Sequence, residues 1–535
     1  MAVSFSPAHP VTLAHFYRIL VGNESITISP EALQTVRDSY DFLTDFAKDK
    51  LIYGINTGFG PMAQYKIDDR AQRELQYNLI RSHCSGMGNP IEPVQTKALM
   101  IARLSTLLKG YSGVHPETVL LLQDLINYNV IPVVYEHGSV GASGDLVQLA
   151  HLALCLIGEG KVWEDDRHVP AADAYARHNL KPMRIHLREG LALMNGTSAM
   201  TGIGMMNLLN AQNLMGWSIA ASSLLVELVE SYDDHYSKEL NGVKWHRGQQ
   251  KVAQQMRNFL ADSRLVRKRS AHLYDKKVTD WVLTEKVQEY YSIRCVPQIL
   301  GPVADVLAVA TEVLTNEVNS VNDNPVVDHR RKDVFHGGNF HGDYVSLEMD
   351  KLKISMTRLS MLAERQLNFL LNDKLNQRLP PFVNLGTLGL NLGMQGAQFV
   401  ATSTVAENQT YSFPMYVHSI PSNNDNQDIV SMGTNAALLT AKVIENTSQV
   451  LAVEWLTILQ AVDYLGCRDK LASPSRRIYD QLRALVPVFD TDQIIGEKLA
   501  RIKQFISKHP VDFTRPEAAS PDEANETLPL TSLAV

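Results

Sequence analysis

The stretch Gly138-Ser139-Val140-Gly141-Ala142-Ser143-Gly144-Asp145-Leu146 joins clustered small residues to an apolar helical run, Leu146 to Ile157. Glycine gives backbone freedom at an entropic cost, so three glycines beside a buried-looking helix need a reason. One reason is a tight loop capping the helix, with Asp145 or Ser143 as N-cap. Another is that the backbone itself reacts. If the chain bends tightly at Ser143, the amide nitrogen of Gly144 reaches the carbonyl carbon of Ala142. Ring closure with loss of water, including the Ser143 hydroxyl, leaves a five-membered ring bearing an exocyclic methylene. That ring is an electrophile of a kind no ordinary side chain supplies. Gly144 suits the attacking position because no side chain blocks its approach, and Ala142 is small for the same reason.

An electrophile of this kind would work with a base for a weakly acidic proton, an anchor for an anionic group and a pocket for the rest of a substrate. Tyr53 is a candidate base, in a run (Tyr53-Gly54-Ile55-Asn56-Thr57-Gly58-Phe59-Gly60) too glycine-rich for a core segment. Its ordinary pKa of about 10 means that a working phenolate needs dipoles or cations nearby; a structural tyrosine is the plainer reading. Arg294, in Tyr290-Tyr291-Ser292-Ile293-Arg294, offers the planar fork that grips a carboxylate at two points. A surface or helix-capping arginine is its plainer role. Asn195 in Met194-Asn195-Gly196-Thr197 and Asn324 in Asn322-Asp323-Asn324-Pro325 have the look of turn asparagines. His336 and His341 share a glycine loop without a third ligand, so no metal is expected.

Together these segments resemble the aromatic amino acid ammonia-lyases and aminomutases, over roughly Ile26 to Lys508. The resemblance implies that Ala142, Ser143 and Gly144 form 4-methylidene-imidazole-5-one autocatalytically, with no metal or external cofactor. It implies Tyr53 as the base and Gly60 as a residue lining the site. Tyr291 would lie near the prosthetic group and the substrate amine, and Arg294 would hold the substrate carboxylate. Asn195 would bond the ring oxygen, Asn324 the carboxylate, and Phe340 would sit near the ring. Such bonds stabilise charge flowing into the ring as an oxyanion hole does. The resemblance also implies a homotetramer with each active site built from three chains.

Two regions bear on the substrate, and they disagree. Ser82-His83 resembles the histidine ammonia-lyases, whereas tyrosine lyases carry His-Leu and phenylalanine lyases Phe-Leu there. Gln427 stands where histidine lyases have a glutamate facing the imidazole, and matches the tyrosine and phenylalanine types; Asn423 matches the tyrosine type. A neutral amide removes the partner of a cationic imidazole, while His83 or Ser82 can still satisfy a phenol, which both donates and accepts. A buried unpaired hydroxyl costs roughly 1–3 kcal/mol, which favours tyrosine over phenylalanine beside these residues. The mixed pattern resembles the tyrosine ammonia-lyases of pigment-forming Bacteroidetes, implying 4-coumarate as product. Histidine lyase, phenylalanine lyase, aminomutase and a non-catalytic helical scaffold are the alternatives.

The elements that must carry these residues are mostly helices. Ser29-Pro30-Glu31 opens one running to about Lys48. A short strand and a loop are expected over Lys50 to Pro61, helices over Asp68–Ser82 and Pro93–Leu108, and another from His115 to about Asn129. Lys161 to Arg188 suggests a small sheet or hairpins. Apolar-periodic stretches at Ala199–Tyr232, Val296–Val318, Leu347–Leu371 and Thr434–Leu465 lack a sustained heptad and suit a bundle core. The expected architecture is mainly α: a mixed region over 1–200 carrying the reactive loop, a long-helix bundle over 201–508, and a disordered tail over 509–535.

With 535 residues, 45% apolar and 20% charged, the chain can bury a large core. A net charge of −7 speaks against nucleic acid, and Arg264 to Arg269 reads as a solvated helix face. The four cysteines, Cys84, Cys155, Cys295 and Cys467, form no CxxC pair and suggest free thiols. No apolar run is expected to reach the ~18 residues of a membrane span, and no leader pattern is read at the N-terminus. The expected setting is cytoplasmic.

Overall fold

The computed structural model describes residues 2–515, apart from residues 49, 276, 278, 280, 284 and 285. The protein is mainly α. Its long helices are α1 (Ser198–Leu228), α2 (Val296–Val318), α3 (Asp343–Leu371), α4 (Gln395–Tyr411) and α5 (Gly433–Leu465). α1 is buried on nearly every face, which places it at the centre of the bundle, with α2, α3 and α5 packed around it. A shorter helix, Pro93–Leu107, lies against it so closely that a Cβ on Gly202 would come within 2.4 Å of the Leu99 nitrogen. Only glycine permits that approach.

The first 200 residues hold several shorter helices and three of the small sheets among the described residues, and a further pair, Val326–Asp328 with Asp333–Phe335, lies beyond them. Ser29 caps Pro30–Phe46 by accepting from the Ala32 amide. Ala2–Phe5 pairs in parallel with Ser25–Ile28. Met87–Pro90 pairs with Tyr135–His137, the strand that leads into the reactive loop. Ile131–Pro132, Lys161–Glu164 and Arg167–Pro170 form a three-stranded antiparallel sheet, the small sheet foreseen after Lys161.

Four expectations change. No strand forms over Lys50 to Pro61: the Asn56 side chain bonds the Ile52 amide (2.8 Å) and the Lys50 carbonyl (2.7 Å), replacing a partner strand and closing a turn. Arg264 to Arg269 is not a helix face but a loop, pinned where Arg267 pairs with Glu230 and Arg269 with Asp234. α2 is, among the described residues, long and apolar enough to cross a membrane, against the expectation that no run would be. It packs on α1, α3 and the helix Arg247–Phe259.

The fourth concerns the tail. Trp217 Nε1 donates to the His509 carbonyl at 2.7 Å, and Phe513 packs 5.8 Å from Phe259. Residues 509–515 are therefore docked on the bundle rather than disordered, because the aromatic Phe513 and the His509 carbonyl find partners that composition could not reveal. Residues 516–535 lie outside the described residues. A chain ending at Lys508 should lose roughly 1–3 kcal/mol in urea unfolding, from one buried hydrogen bond and one apolar ring. A chain ending at Arg515 should keep that stability.

Candidate active site

The loop from Gly138 to Gly144 is stretched between the starts of two long helices. Gly342, just before α3, donates its N–H to the Gly141 carbonyl (3.1 Å), and the Met432 amide, just before α5, donates to the Val140 carbonyl (3.0 Å). On the third side it meets the corner before α1. The Asp145 amide donates to the Gly196 carbonyl at 2.8 Å, and a Cβ on Gly144 would lie 2.0 Å from that oxygen. Gly144 also has φ +71°, so both its conformation and its neighbour require glycine. Ala142 and Gly144 are buried while Ser143 between them is partly open.

Asp145 holds this junction. It precedes the helix Leu146–Leu156, yet its side chain makes no cap bond there. Instead Oδ2 accepts the Ala199 and Met200 amides at the start of α1, at 2.8 and 2.9 Å. Oδ1 accepts the hydroxyls of Ser139 (2.9 Å) and Thr434 (2.5 Å). Burial pushes this carboxyl above the ordinary carboxylate range, an effect that the four donors oppose.

Around Ser143 the polar groups converge. Asn195 Nδ2 donates to the Ser143 carbonyl (3.0 Å), and Gln427 Nε2 donates to its hydroxyl (3.0 Å). Asn195 Oδ1 is buried without a hydrogen-bond partner. Gln427 closes a tight turn with Ser422, each amide bonding the other's carbonyl at 3.1 and 3.2 Å. Within that turn lies Asn423, whose Nδ2 would stand 2.8 Å from a Cβ on Gly60. The Gly60 amide in turn donates to the Tyr53 hydroxyl at 3.2 Å. Tyr53, Gly60, Asn195, Asn423 and Gln427 thus form one chain of neighbours ending on Ser143. A glycine cradle, an amide on the Ser143 carbonyl and an orphaned acceptor beside it fit a ring built from residues 142–144.

Asn324 lies on the same side. Asn322 donates to Thr197 Oγ1 (2.8 Å), and Asp323 forms a fully buried ion pair with Arg188 (2.9 Å). Asn324 Oδ1 accepts the Gly337 amide at 2.8 Å. Phe340 is half-buried two residues before Gly342. The hydrogen bonds of Ser82 and His83 are local: Ser82 Oγ and His83 Nδ1 both reach the Leu79 carbonyl, at 3.1 and 2.9 Å.

Tyr291 and Arg294 are elsewhere. The Ser292 carbonyl between them accepts from Gln366 Nε2 (2.8 Å), near the far end of α3. From Asp343 to Gln366 is 23 residues, about 35 Å of helix. The second ruler agrees, because Gln366 also bonds Ser222, which lies 23 residues along α1 from Ala199. Within one chain the arginine and Ser143 stand at opposite ends of the bundle. Arg294 Nε is buried without a hydrogen-bond partner among the described residues, and its guanidinium sits 4.6 Å from the ring centre of Tyr291, a residue that is 69% exposed.

Three supporting residues escape sequence reading. Gln76 is fully buried and joins two site segments, donating to the Gly54 carbonyl and accepting from the Leu191 amide, both at 3.0 Å. Arg103, pushed down to about 10 by burial, donates to the carbonyls of Ala192 and Asn195. Neither carries a local signal. Asp145 had one, its place beside the loop, but that position suggested only a cap for its own helix.

The chain matches the family model for aromatic amino acid lyases over residues 11–484. It is 36% identical to a histidine ammonia-lyase of Bacillus cytotoxicus, covering 95% of this chain and 97% of that one. It is also 36% identical to a tyrosine 2,3-aminomutase of Myxococcus sp., over 91% and 94% of the two chains. A solved tyrosine aminomutase from Streptomyces globisporus superposes with a TM-score of 0.90 at 35% identity, over 95% and 97% of the chains. The protein belongs to the aromatic amino acid lyase family, whose members carry the methylidene-imidazolone group. Its relatives include both ammonia-lyases and aminomutases.

Asp145→Asn should destabilise the fold by roughly 2–4 kcal/mol, since an NH2 would face donors where an acceptor is required. Urea unfolding reads that loss; an unchanged midpoint would remove Asp145 from the centre of the junction.

Proposed function

We propose that this protein is a tyrosine ammonia-lyase, converting L-tyrosine to 4-coumarate and ammonia. The observation that carries the choice of substrate is the hydrogen bond from Gln427 to Ser143. A neutral amide, not a carboxylate, reaches the reactive position, and it suits a phenol better than a charged imidazole. The prosthetic group formed from Ala142-Ser143-Gly144 would supply an electrophilic carbon that activates the amine for departure. Asn195 would steady the negative charge on the ring carbonyl through Nδ2. Tyr53, its oxygen bonded to the Gly60 amide, would take the β-proton. That proton leaves Cβ as the Cα–N bond breaks, and the electron pair becomes the new double bond. Ser82, His83 and Asn423 would meet the phenol end.

Arg294 would bind the substrate carboxylate and Tyr291 would face the amine, but from another copy of the chain. Separation of about 35 Å along α3 forbids the pairing within one chain. Exposed apolar residues on the same helices support association: Tyr344, Leu347 and Ile354 run along α3 at helical spacing, and Phe399 lies on α4. We take the assembly to be a homotetramer with shared sites. An aminomutase is the second reading, favoured by the tyrosine 2,3-aminomutase relatives.

With tyrosine, phenylalanine and histidine offered separately, tyrosine should give the fastest rise in ultraviolet absorbance from the new conjugated bond. Turnover of histidine alone would overturn the assignment, and β-tyrosine as the main product would establish the mutase. Ser143→Ala should abolish turnover and restore the mass of the two waters lost on ring formation, while the oligomer stays folded. Tyr53→Phe and Arg294→Ala, each inactive alone, should recover roughly a quarter of native activity when co-expressed, if a site draws them from different copies. No recovery would place both in one chain's site.

A further inference from the structure

A pocket of about 220 Å³ opens beneath the N-terminal segment, away from Ser143. Its lining combines basic His9, Lys109 and Arg330 with apolar Phe5, Leu108 and Val321. No aspartate or glutamate is among its lining residues. The Lys109 ammonium is half-buried and donates to Asn319 Oδ1 at 3.1 Å, a neutral amide oxygen already taken by the Val11 amide at 2.9 Å. Burial lowers its pKa, the mark of a desolvated cation whose neighbours do not offset the loss of water. The nearby Asp328 carboxylate is engaged elsewhere, by the backbone amide of Arg330 at 3.1 Å and by Arg331 at 3.6 Å.

We infer that this pocket binds a small single-ring aromatic monocarboxylate. The cations would face the carboxylate and Phe5, Leu108 and Val321 the ring. The volume falls below the ~300 Å³ at which sites for drug-sized ligands begin, so a single-ring acid fits and a nucleotide does not.

The pocket is also joined to the active site by the backbone. Val321 lines it, and the Val321 carbonyl accepts from Asn339 Nδ2 (3.2 Å), the neighbour of Phe340. The next residue, Asn322, holds Thr197 beside Gly196, and Asp323 is locked to Arg188. A ligand pressing on Val321 therefore acts on the segment that positions both Asn324 and the corner carrying Asn195. The product of the proposed reaction, 4-coumarate, has the required chemistry, and its use as the probe rests on the tyrosine lyase reading.

Equilibrium dialysis of the full-length protein against 4-coumarate should find two equivalents per chain, and mixed rather than competitive inhibition of tyrosine turnover. Arg330→Gln, at an exposed position where folding is not at stake, should weaken one equivalent by about tenfold, the loss of one charged contact. Lys109→Met should abolish that equivalent and make inhibition purely competitive. A native protein in which no equivalent is weakened by either substitution would overturn the inference. Displacement of the Lys109-dependent equivalent by inorganic phosphate would also overturn it, marking a site for inorganic anions. If the protein does not act on tyrosine, the active-site equivalent is lost but the Lys109-dependent one remains, so the two readings fail separately.

Discussion

The structure turns on one buried carboxylate. Asp145 accepts two amides from the start of α1, a hydroxyl from Thr434 on α5 and another from Ser139 within the loop. A charge of this kind can be taken out of water only if its lone pairs are filled, and here four donors from three segments fill them. The reactive loop, the central helix and the longest helix therefore share one node. That node fixes Gly144 against Gly196, and the contact in turn leaves Ser143 as the open residue of the tripeptide.

Rigidity at this node explains why the surrounding groups can act on Ser143. Asn195 sits directly before the α1 corner that Asp145 holds, and Arg103 grips its carbonyl from behind. Gln76 ties the Tyr53 loop to the helix Glu189–Met194, which runs into Asn195. Tyr53, Asn195 and Ser143 are thus set by one buried polar framework rather than by separate loops. Preorganised dipoles of this sort stabilise charge without rearranging as it develops.

The opposite end of the bundle carries a second, incomplete set of groups. Arg294 has a buried nitrogen with no partner among the described residues and leans on an exposed Tyr291. Long helices solve a packing problem in one copy and create a positional one, because they carry related residues about 35 Å apart. Association of copies side by side, with helices reversed, would return one end of a neighbour to the other end of this chain. The apolar stripe on α3 has the spacing that such association uses.

Much of this was legible in the sequence because it rests on local chemistry. Small residues at 141–144 announced a backbone that must bend sharply, apolar periodicity announced α1, α2, α3 and α5, and Ser29-Pro30 announced a helix start. What remained hidden depends on groups far apart in the chain. The turn that replaces the strand after Lys50 needed Asn56 to reach back. The docking of 509–515 needed Trp217 and Phe259, some 250 to 290 residues earlier. Sequence alone determined that residues 142–144 could react and that helices would surround them, since both follow from residue size and periodicity. Tertiary structure decided that Asp145 serves α1 rather than its own helix, and that Gln427 reaches Ser143, with Tyr53 linked to it through Gly60 and Asn423, while Arg294 of the same chain does not. Hydrogen-bond partners and helix lengths are set by packing across the whole bundle, which no local pattern encodes.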